Sequence, residues 1–233
     1  MAIRALIFNV FGTLVDWRSG VAREAERRLQ KRKPGVDWGA FSDAWRDQYQ
    51  PSMERVRSGE TPWVDLDTLQ RESLDGVLTK FGIEDVSDET KAKLVQGWHK
   101  LDAWPEVREA VRSLRKHHLL APLSNGHVRL MIDLARRNRL RFDAILGAEF
   151  SRDYKPKPAL YLDAVRALGF TPQETLMVAA HSNDLAAAAS HGLATAHIAR
   201  PREYGPGGGE TAPSVPATFA AADLADLARQ LEV

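Results

Sequence analysis

The residues of this chain that could carry out chemistry come from four separated places. Asn9 and Thr13 follow one apolar run, Ser124-Asn125 follows another, and Lys155 and Asp184 come later. A lysine, an aspartate and several hydrogen-bonding groups could together bind a small anion or activate a water. Each signal is ordinary by itself, because Ser-Asn-Gly is common in turns, a lysine is usually solvated and an aspartate often caps a helix. Their joint action depends on a fold that brings them together.

The elements that must position these residues are short apolar runs separated by helical patterns. Residues 5–8 are typical of a buried strand of a parallel sheet. Further strands are predicted at 119–123, 144–146, 176–180 and 195–198, and helices at 105–117, 128–137, 158–168, 184–191 and 221–231. This alternation indicates an α/β fold with a parallel sheet, in which strand ends converge at one edge. Pro122 cannot donate to a ladder and argues against a central position for its strand.

A long helical stretch interrupts this pattern after the first strand. Its apolar residues share helix faces, as Phe41, Trp45 and Tyr49 do, and all six tryptophans lie in the first half of the chain. We predict a core domain of residues 1–16 and 101–233, and a helical domain of residues 17–100. An insertion that leaves from this strand end would lie over the ligand-binding edge of the sheet and could act as a lid.

The composition excludes several classes of function. A net charge of +1 gives no electrostatic case for nucleic acid or a membrane surface, and zero cysteines exclude disulfides and thiolate sites. No window reaches the length of a membrane span and the first apolar run is too short for a signal peptide, so a cytoplasmic protein is expected. The tryptophans, valines and methionines of the helical stretch could form a homodimer interface if exposed, or a buried hinge.

Four sequence motifs support a more specific interpretation. They are Phe8-Asn9-Val10-Phe11-Gly12-Thr13-Leu14, Ser124-Asn125-Gly126, Tyr154-Lys155-Pro156 and Asn183-Asp184. In this order they resemble the motifs of the haloacid dehalogenase superfamily, and the likeness covers nearly the whole chain. It is closest to the L-2-haloacid dehalogenases. The resemblance implies a Rossmann-like parallel-sheet core with an inserted helical cap domain.

The same resemblance implies an activity. Enzymes of this kind hydrolyse short 2-haloacids to 2-hydroxyacids through an aspartyl ester, so the expected partners are a small 2-haloacid and a halide ion. Position 9 would be the nucleophile, and Asp184, paired with Lys155, would position and activate the water. The groups expected to hold carboxylates are Thr13, Ser124, Asn125 and the backbone near Phe11 and Gly12.

Residues outside the core motifs also match positions of that family. Arg46 resembles the halide-binding arginine and would act with Asn125, although an arginine on a helix face is usually solvated. Tyr161, six residues after Lys155, resembles the active-site tyrosine, but could also pack a helix on the sheet. His181 stands where the family often has asparagine, and would either contact substrate or end a strand.

Position 11 separates two chemistries within the superfamily. The phosphatases carry there a second aspartate that protonates the leaving alcohol, whereas this chain has Phe11, which cannot transfer a proton. A halide needs no proton, so Phe11 favours dehalogenation over the alternative of a phosphatase. Asp184 is the one carboxylate left at the motif positions and Lys155 would repel a cation, so no magnesium or other cofactor is expected.

Position 9 departs from the family pattern, because active members carry aspartate there. The neutral amide of Asn9 is a far poorer nucleophile than a carboxylate. An engineered Asp-to-Asn change is favoured, since the other motif residues are intact. A natural pseudoenzyme that binds carboxylates, and slow deamidation of Asn9 to aspartate, are the alternatives.

Two features near the carboxyl end complete the prediction. Thr171-Pro172-Gln173-Glu174 has the pattern of a capping box. Residues 201–216 contain Gly207-Gly208-Gly209 without a following Lys-Ser/Thr pair, so this segment is expected to be a flexible connection and no phosphate cradle.

Overall fold

A computed structural model describes residues 2–232, and a five-stranded parallel sheet is its centre. The strands are β1 (Ala5–Phe8), β2 (Val15–Asp16), β3 (Asp102–Ala103), β4 (Leu119–Pro122), β5 (Thr175–Ala179), β6 (Ala194–Ile198) and β7 (Phe219–Ala221). The sheet has the order β4-β1-β5-β6-β7, and every neighbouring pair is parallel. All residues of β1 and β5 are buried. The predicted α/β fold with a parallel sheet is confirmed.

Helices cover the sheet and fill the insertion between β2 and β3. They are α1 (Trp17–Leu29), α2 (Trp38–Asp47), α3 (Tyr49–Arg57), α4 (Leu66–Lys80), α5 (Asp88–Val95), α6 (Val107–Leu114), α7 (Val128–Asn138), α8 (Ala148–Ser151), α9 (Pro158–Leu168), α10 (Ser182–Ser190) and α11 (Leu224–Gln230). Short 3₁₀ helices span Gln96–Lys100 and Pro172–Glu174. The predicted capping box is present at the second of these, with Thr171 and Glu174 bonded reciprocally. None of the helices in residues 2–232 is long and apolar enough to cross a membrane.

The chain enters and leaves the helical insertion through one small antiparallel pair. Val15 of β2 lies opposite Ala103 of β3, and Asp16 lies opposite Asp102. Asp16 also caps α1, because its side chain accepts a hydrogen bond from the Ser19 N–H. Two-residue strands carry no readable periodicity, so the sequence did not predict this pair.

The aromatic residues of the insertion form its interior. Trp17 stacks on Trp98 at 6.2 Å between ring centroids, and Trp45 meets Trp98 edge to face at 5.6 Å. These three rings are at most 2% exposed, and Met53 is fully buried. Aromatic pairs of this geometry stabilise a core beyond their area of contact. These three rings are therefore core residues and are not available to an exposed interface.

The predicted strand at 144–146 was wrong, because only Leu146 forms a bridge, to Leu123. Asp143 explains where the sheet stops. Its carboxylate accepts the N–H of Leu120 at 3.0 Å, and its own N–H donates to the Leu120 carbonyl at 2.8 Å. These groups on β4 are therefore unavailable to another strand. The edge position of β4 also agrees with the expectation from Pro122.

The predicted terminal helix begins later than expected. Ala221 lies in β7, where it pairs with Ile198 of β6, and α11 starts only at Leu224 after the Asp223 cap. The helix predicted from 105 likewise starts at Val107. Strand pairing across the sheet overrides the local helical pattern at the first of these sites.

A histidine links the insertion to a helix of the core. His99 Nε2 lies 2.9 Å from Asp67 of α4, and His99 Nδ1 lies 2.9 Å from Asp133 of α7. Burial opposes protonation, but the two carboxylates outweigh it and raise the pKa of His99 above its usual value. Asp67, His99 and His127 offer ligand-type atoms within 4.8 Å of one another, but both nitrogens of His99 already face carboxylates. The arrangement is that of an imidazolium between two anions.

This link predicts a pH-dependent contribution to stability. A raised pKa means that protonated His99 stabilises the fold fully below the unfolded pKa of about 6.5, and that the contribution is lost as pH rises through the folded pKa. Replacement by glutamine should lower the free energy of unfolding by about 1 kcal/mol near neutral and mildly acidic pH, since water screens both carboxylates. Urea unfolding of His99→Gln across pH measures the difference. A difference that grows with pH would contradict the assignment, and exposed His117→Gln is the matched control.

Candidate active site

One cavity lies at the carboxyl edge of the sheet, beneath the helical insertion. Its volume is about 250 Å³. Seven of the residues predicted for the site line it: Asn9, Arg46, Asn125, Lys155, Tyr161, His181 and Asp184. The remaining lining residues are Tyr49, Gln50, Pro156, Asn183 and Tyr204. The cavity therefore gathers residues that span most of the chain.

Asn9 follows β1 directly and points into this cavity. Its Nδ2 donates to the Phe11 carbonyl at 2.9 Å and to Thr13 Oγ1 at 2.8 Å. Thr13 Oγ1 also accepts the Ala180 N–H at 2.9 Å, so the hydroxyl ties the loop after β1 to the end of β5. A side chain at position 9 is therefore held at two points, and Thr13 lies behind it without lining the cavity.

A buried ion pair forms another part of the cavity wall. Lys155 Nζ lies 2.6 Å from Asp184 Oδ2, and Tyr161 donates its hydroxyl to Asp184 Oδ1 at 2.6 Å. Burial lowers the pKa of the Lys155 ammonium, against the opposing effect of the Asp184 charge, and burial raises the pKa of Tyr161. Asn125 Oδ1 accepts the Lys155 N–H at 2.8 Å and fixes the backbone there. Both oxygens of Asp184 thus face donors beside the cavity.

Arg46 brings a positive charge from the helical insertion. Its guanidinium lies 3.8 Å from the ring centroid of Tyr49, 5.3 Å from that of Trp17 and 5.8 Å from that of Phe11. Its Nη1 is buried and has no hydrogen-bond partner among the described residues. A cation that is held over aromatic faces with an unpaired N–H is ready to bind an anion. Arg46 is therefore part of the cavity and not a solvated helix residue.

His181 lies between position 9 and a buried glutamate that was not predicted. Its Nδ1 is 3.3 Å from Asn9 Nδ2, and its Nε2 is 2.9 Å from Glu203 Oε2. Glu203 is 2% exposed and accepts the indole N–H of Trp17 at 2.9 Å. Burial alone would raise the pKa of Glu203, but His181, Trp17 and Arg46 outweigh it and lower the pKa below its usual range. An ionised carboxylate therefore orients the histidine.

Besides Thr13, three predicted site residues lie behind the cavity wall. Phe11 is 1% exposed and supports Arg46, and Ser124 is fully buried with its Oγ accepting the Gly126 N–H. The N–H of Gly12 donates to the Val15 carbonyl and is already engaged. Gly12 has a φ of +79°, and a Cβ there would lie 2.1 Å from Glu203 Oε1. Glycine at this position is what allows the glutamate to approach.

The segment at 201–216 does more than connect two elements, contrary to its interpretation as a flexible linker. It supplies Glu203 and Tyr204, and just before it the buried Arg200 donates to the Thr13 carbonyl at 2.9 Å. A usable signal was present, because this segment follows β6 at the same sheet edge as the other polar residues.

The cavity is a poor match for a magnesium ion. Among the described lining residues Asp184 is the one carboxylate, and Lys155 already lies on it at 2.6 Å. At position 9 an amide nitrogen, and not an oxygen, faces the Phe11 carbonyl. A hard dication needs several oxygen ligands, so the residues present do not fit it.

Comparison with known proteins places these features in a family. The model of the haloacid dehalogenase-like hydrolases matches residues 3–192. The chain is 30% identical to (S)-2-haloacid dehalogenase 4A of Burkholderia cepacia over 209 residues, which cover 87% of each protein. Among solved structures, the crystal structure of the defluorinating L-2-haloacid dehalogenase Rha0230 superposes on this chain with a TM-score of 0.95. The superposition covers 99% of this chain and 96% of that one, and the two sequences are 40% identical.

A further solved structure is an L-2-haloacid dehalogenase of Xanthobacter autotrophicus with chloropropionic acid covalently bound. It is 27% identical, with a TM-score of 0.84 over 99% of this chain and 98% of that one. The α/β fold, the family match over most of the chain and these relatives agree. The chain belongs to the family of haloacid dehalogenase-like hydrolases.

Proposed function

We propose that this protein is built for hydrolytic dehalogenation of short 2-haloacids to 2-hydroxyacids. The observation that carries the proposal is Arg46, which lines the cavity that also holds position 9. Its guanidinium lies over the ring of Tyr49, and its buried Nη1 has no hydrogen-bond partner among the described residues. A halide that leaves as an anion needs such a preorganised positive partner. Relatives that are named (S)-2-haloacid dehalogenases support the same reaction.

The first step needs a carboxylate at position 9. Its oxygen attacks C2 of the haloacid and displaces halide towards Arg46 and Asn125, which leaves an ester on the side chain. We propose that Thr13 and His181, both within hydrogen-bonding range of this side chain, aim it. The covalently bound chloropropionic acid in the Xanthobacter structure supports an intermediate of this type.

The second step is hydrolysis of that ester. Water attacks the ester carbonyl and gives its proton to Asp184, which Lys155 and Tyr161 hold in place. The C–O bond between the side-chain carbonyl and the substrate oxygen breaks, and Asp184 returns the proton to that oxygen, so the 2-hydroxyacid leaves and the carboxylate returns.

Two further parts of the proposal concern the chain as a whole. Residues 17–100 act as a cap domain over a core domain of residues 1–16 and 101–233. The end residues of that core, Met1 and Val233, lie outside the described residues. The chain as written is an Asp-to-Asn form at the nucleophile, since the charged residues around Asn9 are in place for a carboxylate. Its dehalogenase activity is therefore absent or very low.

Restoring the carboxylate tests this function directly. Asn9→Asp should release halide from 2-chloropropionate without added metal, at a rate about a thousandfold or more above the unchanged chain, as expected for the return of a nucleophile. Halide release is measured for chloro-, bromo- and fluoroacetate as well, because one related structure is named as defluorinating.

Asn9→Leu, which has a similar size and no nucleophile, is the control. No halide release by Asn9→Asp would refute the dehalogenase. Magnesium-dependent hydrolysis of phosphate esters by the same variant would favour the phosphatase, and binding of carboxylates without any turnover would favour a pseudoenzyme.

A second variant tests the role of Arg46. In the Asn9→Asp background, Arg46→Met should lower the rate of halide release about a hundredfold, the scale of one lost anion-binding group. Arg46→Lys keeps the charge but not the planar set of donors, and should retain part of the rate. Half-exposed Arg55→Met in the neighbouring α3 is the matched control. Equal losses for Arg46→Met and Arg55→Met would remove Arg46 from the site.

A further inference from the structure

We propose that Asn9 is itself a substrate of this cavity, and that the site converts it to aspartate with release of ammonia. The inference rests on the proposed function, because it uses the same water attack that hydrolyses the aspartyl ester. In both reactions water adds to the side-chain carbonyl carbon of residue 9. They differ in the group that leaves, which is a substrate oxygen in one and nitrogen in the other.

The geometry holds the amide as a reactant. Its nitrogen is fixed by the Phe11 carbonyl and Thr13 Oγ1, so the orientation of the side chain is set. His181 Nδ1 lies 3.3 Å from that nitrogen, close to the atom that must leave. When water adds, the nitrogen loses its amide resonance and its lone pair becomes basic. A protonated His181 can then deliver a proton to it.

Glu203 contacts the ring of His181 on the side away from Asn9. Its ionised carboxylate lies 2.9 Å from His181 Nε2, is 2% exposed and is held by Trp17. An ester can expel its oxygen as an alkoxide, whereas an amide nitrogen must be protonated before the C–N bond breaks. Asp184 serves as the base in both reactions. The pair of His181 and Glu203 therefore supplies what amide hydrolysis requires in addition.

The atoms balance with water alone. One water forms the new C–O bond, the C–N bond breaks, and no atom is oxidised or reduced. One proton of the water passes to Asp184 while His181 protonates the nitrogen, and solvent exchange restores both groups. The products are an aspartate carboxylate at position 9 and an ammonium ion.

The usual uncatalysed route is disfavoured here. In that route the backbone nitrogen of the next residue attacks the asparagine carbonyl, and the ring that forms opens to aspartate and isoaspartate. The next residue is Val10, which is branched at Cβ and 4% exposed. Attack by cavity water gives aspartate alone, so the product distinguishes the two routes.

Mass spectrometry of the unchanged full chain in heavy-oxygen water tests the proposal. The peptide that contains residue 9 should gain one heavy oxygen as aspartate, without isoaspartate, and halide release should rise in step with the converted fraction. His181→Asn and Glu203→Gln should each slow conversion about a hundredfold, the scale of general acid catalysis. Exposed His117→Asn is the matched control.

Three outcomes would overturn the inference: no conversion, conversion with isoaspartate, or conversion at an equal rate in the His181 and Glu203 variants. The first two are read on the unchanged chain and do not depend on the folding of a variant. Failure of the proposed function looks different, because Asn9→Asp would then release no halide whether or not Asn9 converts.

Discussion

The buried pair of Lys155 and Asp184 is the interaction on which the site depends. The two side chains are 8% and 9% exposed and lie 2.6 Å apart. Removing two charges from water costs several kcal/mol per ion, and the attraction offsets this only when the remaining donors and acceptors are also satisfied. Tyr161 meets the second oxygen of Asp184, and Asn125 fixes the Lys155 backbone. The loops that carry Asn125 and Lys155 are thereby locked against α9 and α10, which a loose surface pair could not achieve.

The helical insertion is held over that pair by specific polar contacts as well as by its aromatic core. Arg57 donates to the carbonyl of Lys155 at 2.7 Å, and Tyr154 donates its hydroxyl to the Val64 carbonyl at 2.6 Å. Arg46 and the ion pair are therefore positioned by a shared set of contacts. A shift of the helical insertion relative to the sheet would therefore change the distance between Arg46 and position 9.

The sequence predicted which residues gather in the cavity better than it predicted the outer strands and helix ends of the fold. Asn9 and Asp184 follow β1 and β5, and a parallel sheet brings such carboxyl ends together whatever the loops do. Lys155 follows α8 instead, although its residue type pointed to the same site. The sequence failed where tertiary contacts decide, as at Asp143, whose side chain occupies the edge of β4 and prevents a further strand. Glu203 was missed for a related reason. Its importance comes from Trp17, His181 and the absent Cβ of Gly12, which are remote in sequence and adjacent only in the fold.

The balance of charges in the site links position 9 to His181. Apart from position 9 and His181, the positive charges of Arg46 and Lys155 are matched by the negative charges of Asp184 and Glu203. A carboxylate at position 9 would leave one negative charge in excess in a largely buried space, which is costly unless a cation accompanies it. His181 lies between position 9 and Glu203, so a proton on its ring would be shared by two carboxylates. Once solvent has returned a proton to its ring, the histidine is placed to neutralise the carboxylate that its proton transfer has created.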